Sequence, residues 1–208
     1  MILCDIGNSN VDFYHDGKIW SQSIKEFNES IPREKIYFIS VNDSITKQLD
    51  EHYINIEDWF EFDTIYQGMG IDRVAACYTI DNGIVIDAGS AITVDVMSGN
   101  LHMGGYILPG MNSYKECYAN ISEKLDTNIN PNVILDALPQ KTEDAISYGV
   151  IKPMLMILKH TCREKTVFFT GGDGKYFSKF FKKSIYDRSL IFRGMLKAIE
   201  NKKIARGI

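Results

Sequence analysis

One pattern constrains the fold more than any other, because it occurs twice: a β-branched apolar run ending on Asp-x-Gly, then a second strand-like run, a turn and a third. The first copy starts near residue 2: ILCDI leads into DIGNSN at 5–10, followed by VDFYH, an Asp16-Gly17 turn and KIWSQS. The second starts near residue 84: GIVIDAG, AITVDVM, a Ser98-Gly99-Asn100 turn and LHMGGYILPG. Apolar runs bounded by Asp-Gly and Ser-Gly-Asn turns predict β-meanders. Their return in the same register predicts a duplicated α/β fold, with the boundary between residues 66 and 83 and domains at 1–75 and 76–208.

Between the meanders, IYFISV at 36–41 is β-branched and apolar enough for a central strand. Asn42, Asp43 and Ser44 offer capping side chains, and a short helix is expected from there through Glu51. After the glycines at 68–70, IDRVAACYTI predicts a helix with Val74, Cys77 and Tyr78 on one face, ending near Asp81-Asn82-Gly83. Beyond the second meander the chain turns helical. A long amphipathic stretch covers 142–162, with Pro153 placed to kink it. A strand TVFFT follows at 166–170, then helices after Gly174 and Ser189, with Phe177, Phe180 and Phe181 spaced as one buried stripe.

The 208 residues suffice for one large or two small domains with a proper core. With 45% hydrophobic and 24% charged residues, the chain is neither disordered nor collagen-like. A net charge of −4 provides no general attraction to nucleic acid or anionic lipid. The basic residues Lys175, Lys179, Lys182, Lys183 and Arg188, then Lys202, Lys203 and Arg206, read as solvated helix faces. Met1 opens directly into ILCDIG without a basic leader, and the apolar runs are too short and interrupted for a bilayer span, so a cytoplasmic location is expected. Cys4, Cys77, Cys117 and Cys162 are far apart and read as reduced, mostly buried thiols. The histidines are dispersed, so a His-based site would need tertiary convergence.

The chemistry-bearing residues lie in the glycine loops and between them. In DIGNSN, Asp5 ends a strand, Gly7 permits a tight turn, and Asn8, Ser9 and Asn10 offer donors and backbone N–H groups for phosphate. Asp5 suits Mg²⁺, held through water. A plain Asx-rich hairpin turn explains the same six residues. DAGSAIT repeats the arrangement with Asp87, Gly89, Ser90 and Thr93, and the pair together favours polyphosphate binding. TGGDG at 170–174 reads either as a loop under a nucleoside or as a strand-to-helix connection. In GIDR, at 70–73, Asp72 could orient and deprotonate an attacking hydroxyl, and Arg73 could clamp a carboxylate with its forked donors. An acidic residue at a helix start is also explained by the helix dipole.

Taken in order, DIGNSN, Tyr66 before GIDR, DAGSAITVD, GGYILPG at 104–110, TEDAISYG at 142–149 and TGGDG resemble the type III pantothenate kinases. These are bacterial first-step enzymes of coenzyme A synthesis in the acetate kinase, sugar kinase, Hsp70 and actin superfamily. The resemblance implies two duplicated ribonuclease H-like α/β domains with mixed central sheets and an interdomain ATP cleft. It implies ATP-dependent phosphorylation of pantothenate to phosphopantothenate, with Mg²⁺ and a monovalent cation, potassium or ammonium. ATP would be bound by Asp5, Ile6, Gly7, Asn8, Ser9, Asn10, Val11 and Asp12 and by Ser90, and Asp87 would hold the potassium. Asp72 becomes the proton acceptor. Tyr66, Gly70, Ile71, Asp72 and Arg73 would line the pantothenate pocket, with Thr142 contributed by the neighbouring subunit of a homodimer. Ser9 and Ser90 stand where many relatives have threonine, and each keeps the hydroxyl.

Overall fold

The computed structural model describes residues 1–29 and 35–205; Arg206 of the basic group lies outside them. In chain order the first elements are β1 (Ile2–Ile6), β2 (Asn10–His15), β3 (Lys18–Ser23), α1 (Ile24–Glu29), β4 (Ile36–Ser40), α2 (Asp43–Thr46), β5 (Tyr53–Asn55) and α3 (Ile71–Cys77). They are followed by β6 (Gly83–Ala88), β7 (Ala91–Ser98), β8 (Leu101–Pro109), α4 (Met111–Ile121), α5 (Thr142–Cys162), β9 (Val167–Thr170), α6 (Gly174–Ser178), β10 (Ser184–Tyr186) and α7 (Leu190–Ala205).

The strands form two five-stranded sheets, ordered β3-β2-β1-β4-β5 and β8-β7-β6-β9-β10. The second order is the first with every strand number raised by five, so the duplication seen in the sequence is a duplication of topology. In the first sheet β1 runs antiparallel to β2 and parallel to β4, so the sheet is mixed. Asp5 is the penultimate residue of β1 and pairs with Ile39, while Asp87 is the penultimate residue of β6 and pairs with Thr170. Each Asp-x-Gly loop therefore leaves its sheet at the same place.

Two compact units result. The described residues of Met1–Asn82, Asp95–Gly104 and Arg188–Ile208 make one, and Gly83–Val94 with Gly105–Asp187 make the other. In the first, Cys4, Ile6, Val11, Phe13, Phe27, Phe38 and Tyr53 form a core on one side of the sheet. Leu3 and Ile39 are also buried, so β1 and β4 are covered on both faces, as a strand with parallel neighbours requires.

Some elements differ from expectation. The helix after Asn42 stops at Thr46 instead of reaching Glu51. Asp50 captures the His52 N–H at 3.0 Å and turns the chain into β5, a three-residue strand that pairs Tyr53 with Ile36. Parallel pairing with β4 thus overrides local helix propensity. In α3 the buried residues are Ile71, Arg73, Ala75, Ala76 and Cys77, so of the Val74–Cys77–Tyr78 face only Cys77 is buried. The reason is α7: a Cβ built on Gly194 would overlap the Ala75 carbonyl, so the helices meet along their small residues. The phenylalanine stripe is also interrupted, since α6 ends at Ser178 and only Phe177 of the three lies in it. The long helix α5 keeps its expected bounds and runs through Pro153.

Candidate active site

The first loop closes on itself. The Gly7 N–H donates to the Asn10 carbonyl at 3.0 Å, and a Cβ on Gly7 would lie 3.1 Å from that oxygen. Asn42 ties the loop to β4 by donating from Nδ2 to the Gly7 carbonyl at 3.4 Å, while its Oδ1 caps α2 through the Ile45 N–H. Asn8, Ser9 and Asn10 are exposed at the tip. Asp5 stands opposite Asp12 across the β1–β2 ladder, and the Ser21 hydroxyl donates to the Asp12 carboxylate.

The second loop closes more tightly, with the Gly89 N–H donating two residues on to the Ala91 carbonyl at 2.9 Å. Here two further glycine turns pack onto it. The Gly110 N–H donates to the Ser90 carbonyl at 3.0 Å, and a side chain at Gly110 would strike the Gly89 and Ser90 carbonyls. Gly171 has φ of +80° and lies so close to the Asp87 carboxylate that no Cβ fits, while the Asp173 N–H donates to Ala88 at 2.9 Å. The glycines of GGYILPG and TGGDG therefore allow backbone to approach backbone around DAGS. Burial raises the Asp173 carboxyl above its ordinary range. Thr142, the first residue of α5, is exposed in this same unit.

The GIDR segment begins α3. Gly70 is its N-cap, and a Cβ there would come within 2.5 Å of Asp72 Oδ1, so glycine is what lets the carboxylate fold back over the helix start. Asp72 Oδ1 accepts the Arg73 N–H at 2.8 Å. Burial raises the Asp72 carboxyl, opposed by that hydrogen bond and by the Arg73 charge, while nearby Asp95 adds to the rise. A carboxylate whose proton affinity is lifted is suited to act as a base. Ile71, expected in the pocket wall, is buried.

Arg73 is also paired inside the protein. Its Nε donates to Asp95 Oδ2 at 3.1 Å and its Nη2 to Asp95 Oδ1 at 2.6 Å. One fork of the guanidinium is thus committed inside the protein. Burial disfavours the charge, but Asp95 and Tyr66 outweigh it and hold the group above its ordinary pKa. The guanidinium carbon lies 4.7 Å from the Tyr66 ring centroid. Asp95 Oδ1 also contacts His102 Nε2 at 2.9 Å, and His102 Nδ1 contacts Thr64 Oγ1 at 2.7 Å.

Sequence reasoning left Asp95, His102 and Thr64 without roles. Asp95 carried a signal, as the last residue of DAGSAITVD. His102 carried none, since its partners stand 7 and 38 residues away. Cys4, Cys77 and Cys162 are buried, and Cys117 is exposed. A surface cavity of about 220 Å³ near the end of α5, lined by Lys159, Arg163, Lys182 and Lys183 among others, contains none of the expected site residues. Among the described residues no group of three or more His, Cys, Asp or Glu side chains could hold a metal, and no helix is long and apolar enough to cross a membrane.

The same motifs recur in known proteins. The model of the type III pantothenate kinase family matches residues 59–164, which include Tyr66, GIDR, DAGSAITVD and TEDAISYG. A type III pantothenate kinase of Campylobacter jejuni is 51% identical over 202 residues, covering 96% of this chain and 97% of that protein. The chain belongs to the type III pantothenate kinase family. A relative from Helicobacter hepaticus with the same description is 48% identical over 206 residues, 96% of this chain and 98% of its own length. A Campylobacter jejuni crystal structure, described as a Baf family transcriptional activator, superposes with a TM-score of 0.89 at 48% identity, covering 97% of this chain and 98% of that one. Membership of the family makes the chain a kinase, and its fold is α/β, two five-stranded sheets with helices.

Proposed function

We propose that this chain transfers the γ-phosphoryl group of ATP to the primary hydroxyl of pantothenate, giving phosphopantothenate in the first step of coenzyme A synthesis. The observation that carries the proposal is Asp72, a half-buried carboxylate of raised proton affinity next to Arg73, whose guanidinium lies against the Tyr66 ring, in the family-matched segment. Phosphoryl transfer needs positioning and charge stabilisation more than covalent help. Asp72 accepts the hydroxyl proton as the substrate oxygen bonds to the γ-phosphorus and the bond to the bridging oxygen of ADP breaks. Tyr66, Gly70, Ile71 and Arg73 shape the pantothenate site, and the N–H groups of Arg73 not given to Asp95 meet the substrate carboxylate. Residues 5–12 and Ser90 handle the ATP phosphates.

Asp5 and Asp12, opposed across one ladder, form an oxygen donor pair of the kind Mg²⁺ takes together with phosphate and water. Two carboxylates directly opposite would otherwise repel. When bound, Mg²⁺ neutralises charge on the phosphates. Asp87, surrounded by backbone from Gly171 and Ala88, supplies a carboxylate and carbonyl oxygens suited to a monovalent cation, potassium or ammonium.

The reading extends to a cytoplasmic homodimer in which Thr142 serves the neighbouring subunit, and to descent of the halves 1–75 and 76–208 from one duplicated domain. In favour of the dimer, Ile107, Ile134, Leu138 and Met156 are 55%, 72%, 77% and 63% exposed. Apolar side chains of that size are commonly covered by a partner. Nucleic-acid binding finds no support in a net charge of −4.

The test is purified protein with Mg-ATP and pantothenate, assayed in potassium and then in sodium buffer. Phosphopantothenate should form, faster in potassium; none in either buffer overturns the proposal.

A further inference from the structure

We propose that Asp95, His102 and Thr64 are positioning residues that fix Arg73 and Tyr66, and through them the grip on pantothenate. The proposal rests on the kinase reading above.

The side chains form a closed ring of contacts. Asp95 takes Nε and Nη2 of Arg73, His102 Nε2 meets the same carboxylate, and His102 Nδ1 meets Thr64 Oγ1. Thr64 Oγ1 in turn accepts the Tyr66 N–H at 3.0 Å, and the Tyr66 ring lies against the Arg73 guanidinium. The ring thus begins and ends on the two side chains expected to bind substrate. Every contact is satisfied with one His102 tautomer: Nε2–H donates to Asp95, and the Thr64 hydroxyl donates to Nδ1.

Burial shows that this is a built arrangement, since Arg73, Asp95 and His102 are 5%, 1% and 0% exposed. A charge so buried needs partners at several points. Two parallel N–H···O bonds fix the plane of a guanidinium as well as its position, and an arginine otherwise has many rotamers. Two of its five N–H groups face Asp95, leaving three for Tyr66 and substrate. A buried ion pair is a weak source of net stability compared with apolar packing, so positioning is the better account of its presence.

The test is steady-state kinetics on Thr64→Val, His102→Leu and His102→Gln. Thr64→Val and His102→Leu should raise KM for pantothenate about tenfold, a displacement effect, with KM for ATP and kcat within about twofold of the parent. His102→Gln, which keeps a donor toward Asp95, should recover most of the lost affinity. Asp95→Asn should have the largest effect, and combined with Arg73→Lys it should add less than it does alone; if it fails to fold, the other three variants decide. Thr64→Val and His102→Leu proteins with lowered Tm but unaltered KM for pantothenate would show a purely structural ring and overturn the proposal. A parent protein that makes no phosphopantothenate would instead bring down the kinase reading, and the positioning role with it.

Discussion

Substituting Gly194 by alanine tests how α3 is seated. A Cβ at Gly194 would overlap the Ala75 carbonyl oxygen and lie 2.8 Å from its carbon. Two effects compete. Alanine in a helix interior is favoured over glycine by about 1 kcal/mol. Overpacking costs about 1–3 kcal/mol, and the upper end applies because the obstacle is helix backbone, which cannot rotate aside. The net loss is about 2 kcal/mol, and at roughly 2–4 °C per kcal/mol for a protein of this size Tm should fall by about 4–8 °C. Scanning calorimetry or thermal-shift fluorimetry measures it. Gly149→Ala is the control: Gly149 is exposed in α5 and its Cβ would sit an ordinary 3.5 Å from the Tyr118 hydroxyl. There the helix gain stands alone, and Tm should rise by about 2–4 °C. Because α3 carries Asp72 and Arg73, Gly194→Ala should also raise KM for pantothenate more than KM for ATP. A Gly194→Ala protein as stable as its parent would refute the close approach of α3 and α7.

Other substitutions probe the chemistry. Asp72→Asn should lower kcat by about 10²–10⁴-fold, the usual contribution of a positioned base, with little change in pantothenate binding by calorimetry. Burial raises the Asp72 carboxyl, and the base works ionised, so kcat/KM should rise with pH through a pKa above that of an ordinary aspartate. The same shift has a stability sign: the folded state binds this proton more tightly than the unfolded chain, so the contribution is full below the unfolded pKa and lost as pH rises through the folded one. Asp72→Asn should therefore match or exceed the parent Tm at neutral pH while losing activity. Asp87→Asn should erase the difference between potassium and sodium buffers in initial-rate assays. Gly171→Ala combines a left-handed backbone with a collision against Asp87, and should lower Tm and raise KM for ATP several-fold.

What was legible in the sequence was local. The two meanders, the positions of both Asp-x-Gly loops and the full extent of α5 follow from apolar periodicity and turn residues, which depend on neighbours in the chain. Elements held by distant partners were not legible: β5 and β10 are three residues each and exist because β4 and β9 supply a ladder. Which residues α3 buries was not legible, because α7, over a hundred residues later, selects the small ones. GIDR and Asp72 could be picked out because their chemistry is written in consecutive letters. His102 could not, because nothing near it in the chain marks it as Asp95's partner.

The pairing of Arg73 with Asp95 also bears on how β7 finds its place. Side chains alternate along a strand, so a slip of one residue would turn Asp95 away and bring Val94 or Val96 to the guanidinium. The slip would also turn the fully buried Ile92 and Val94 away from their own side of the sheet. An unpaired buried arginine penalises it heavily. The ion pair therefore acts as a check on the register of β7: only one strand alignment neutralises the buried charge of Arg73.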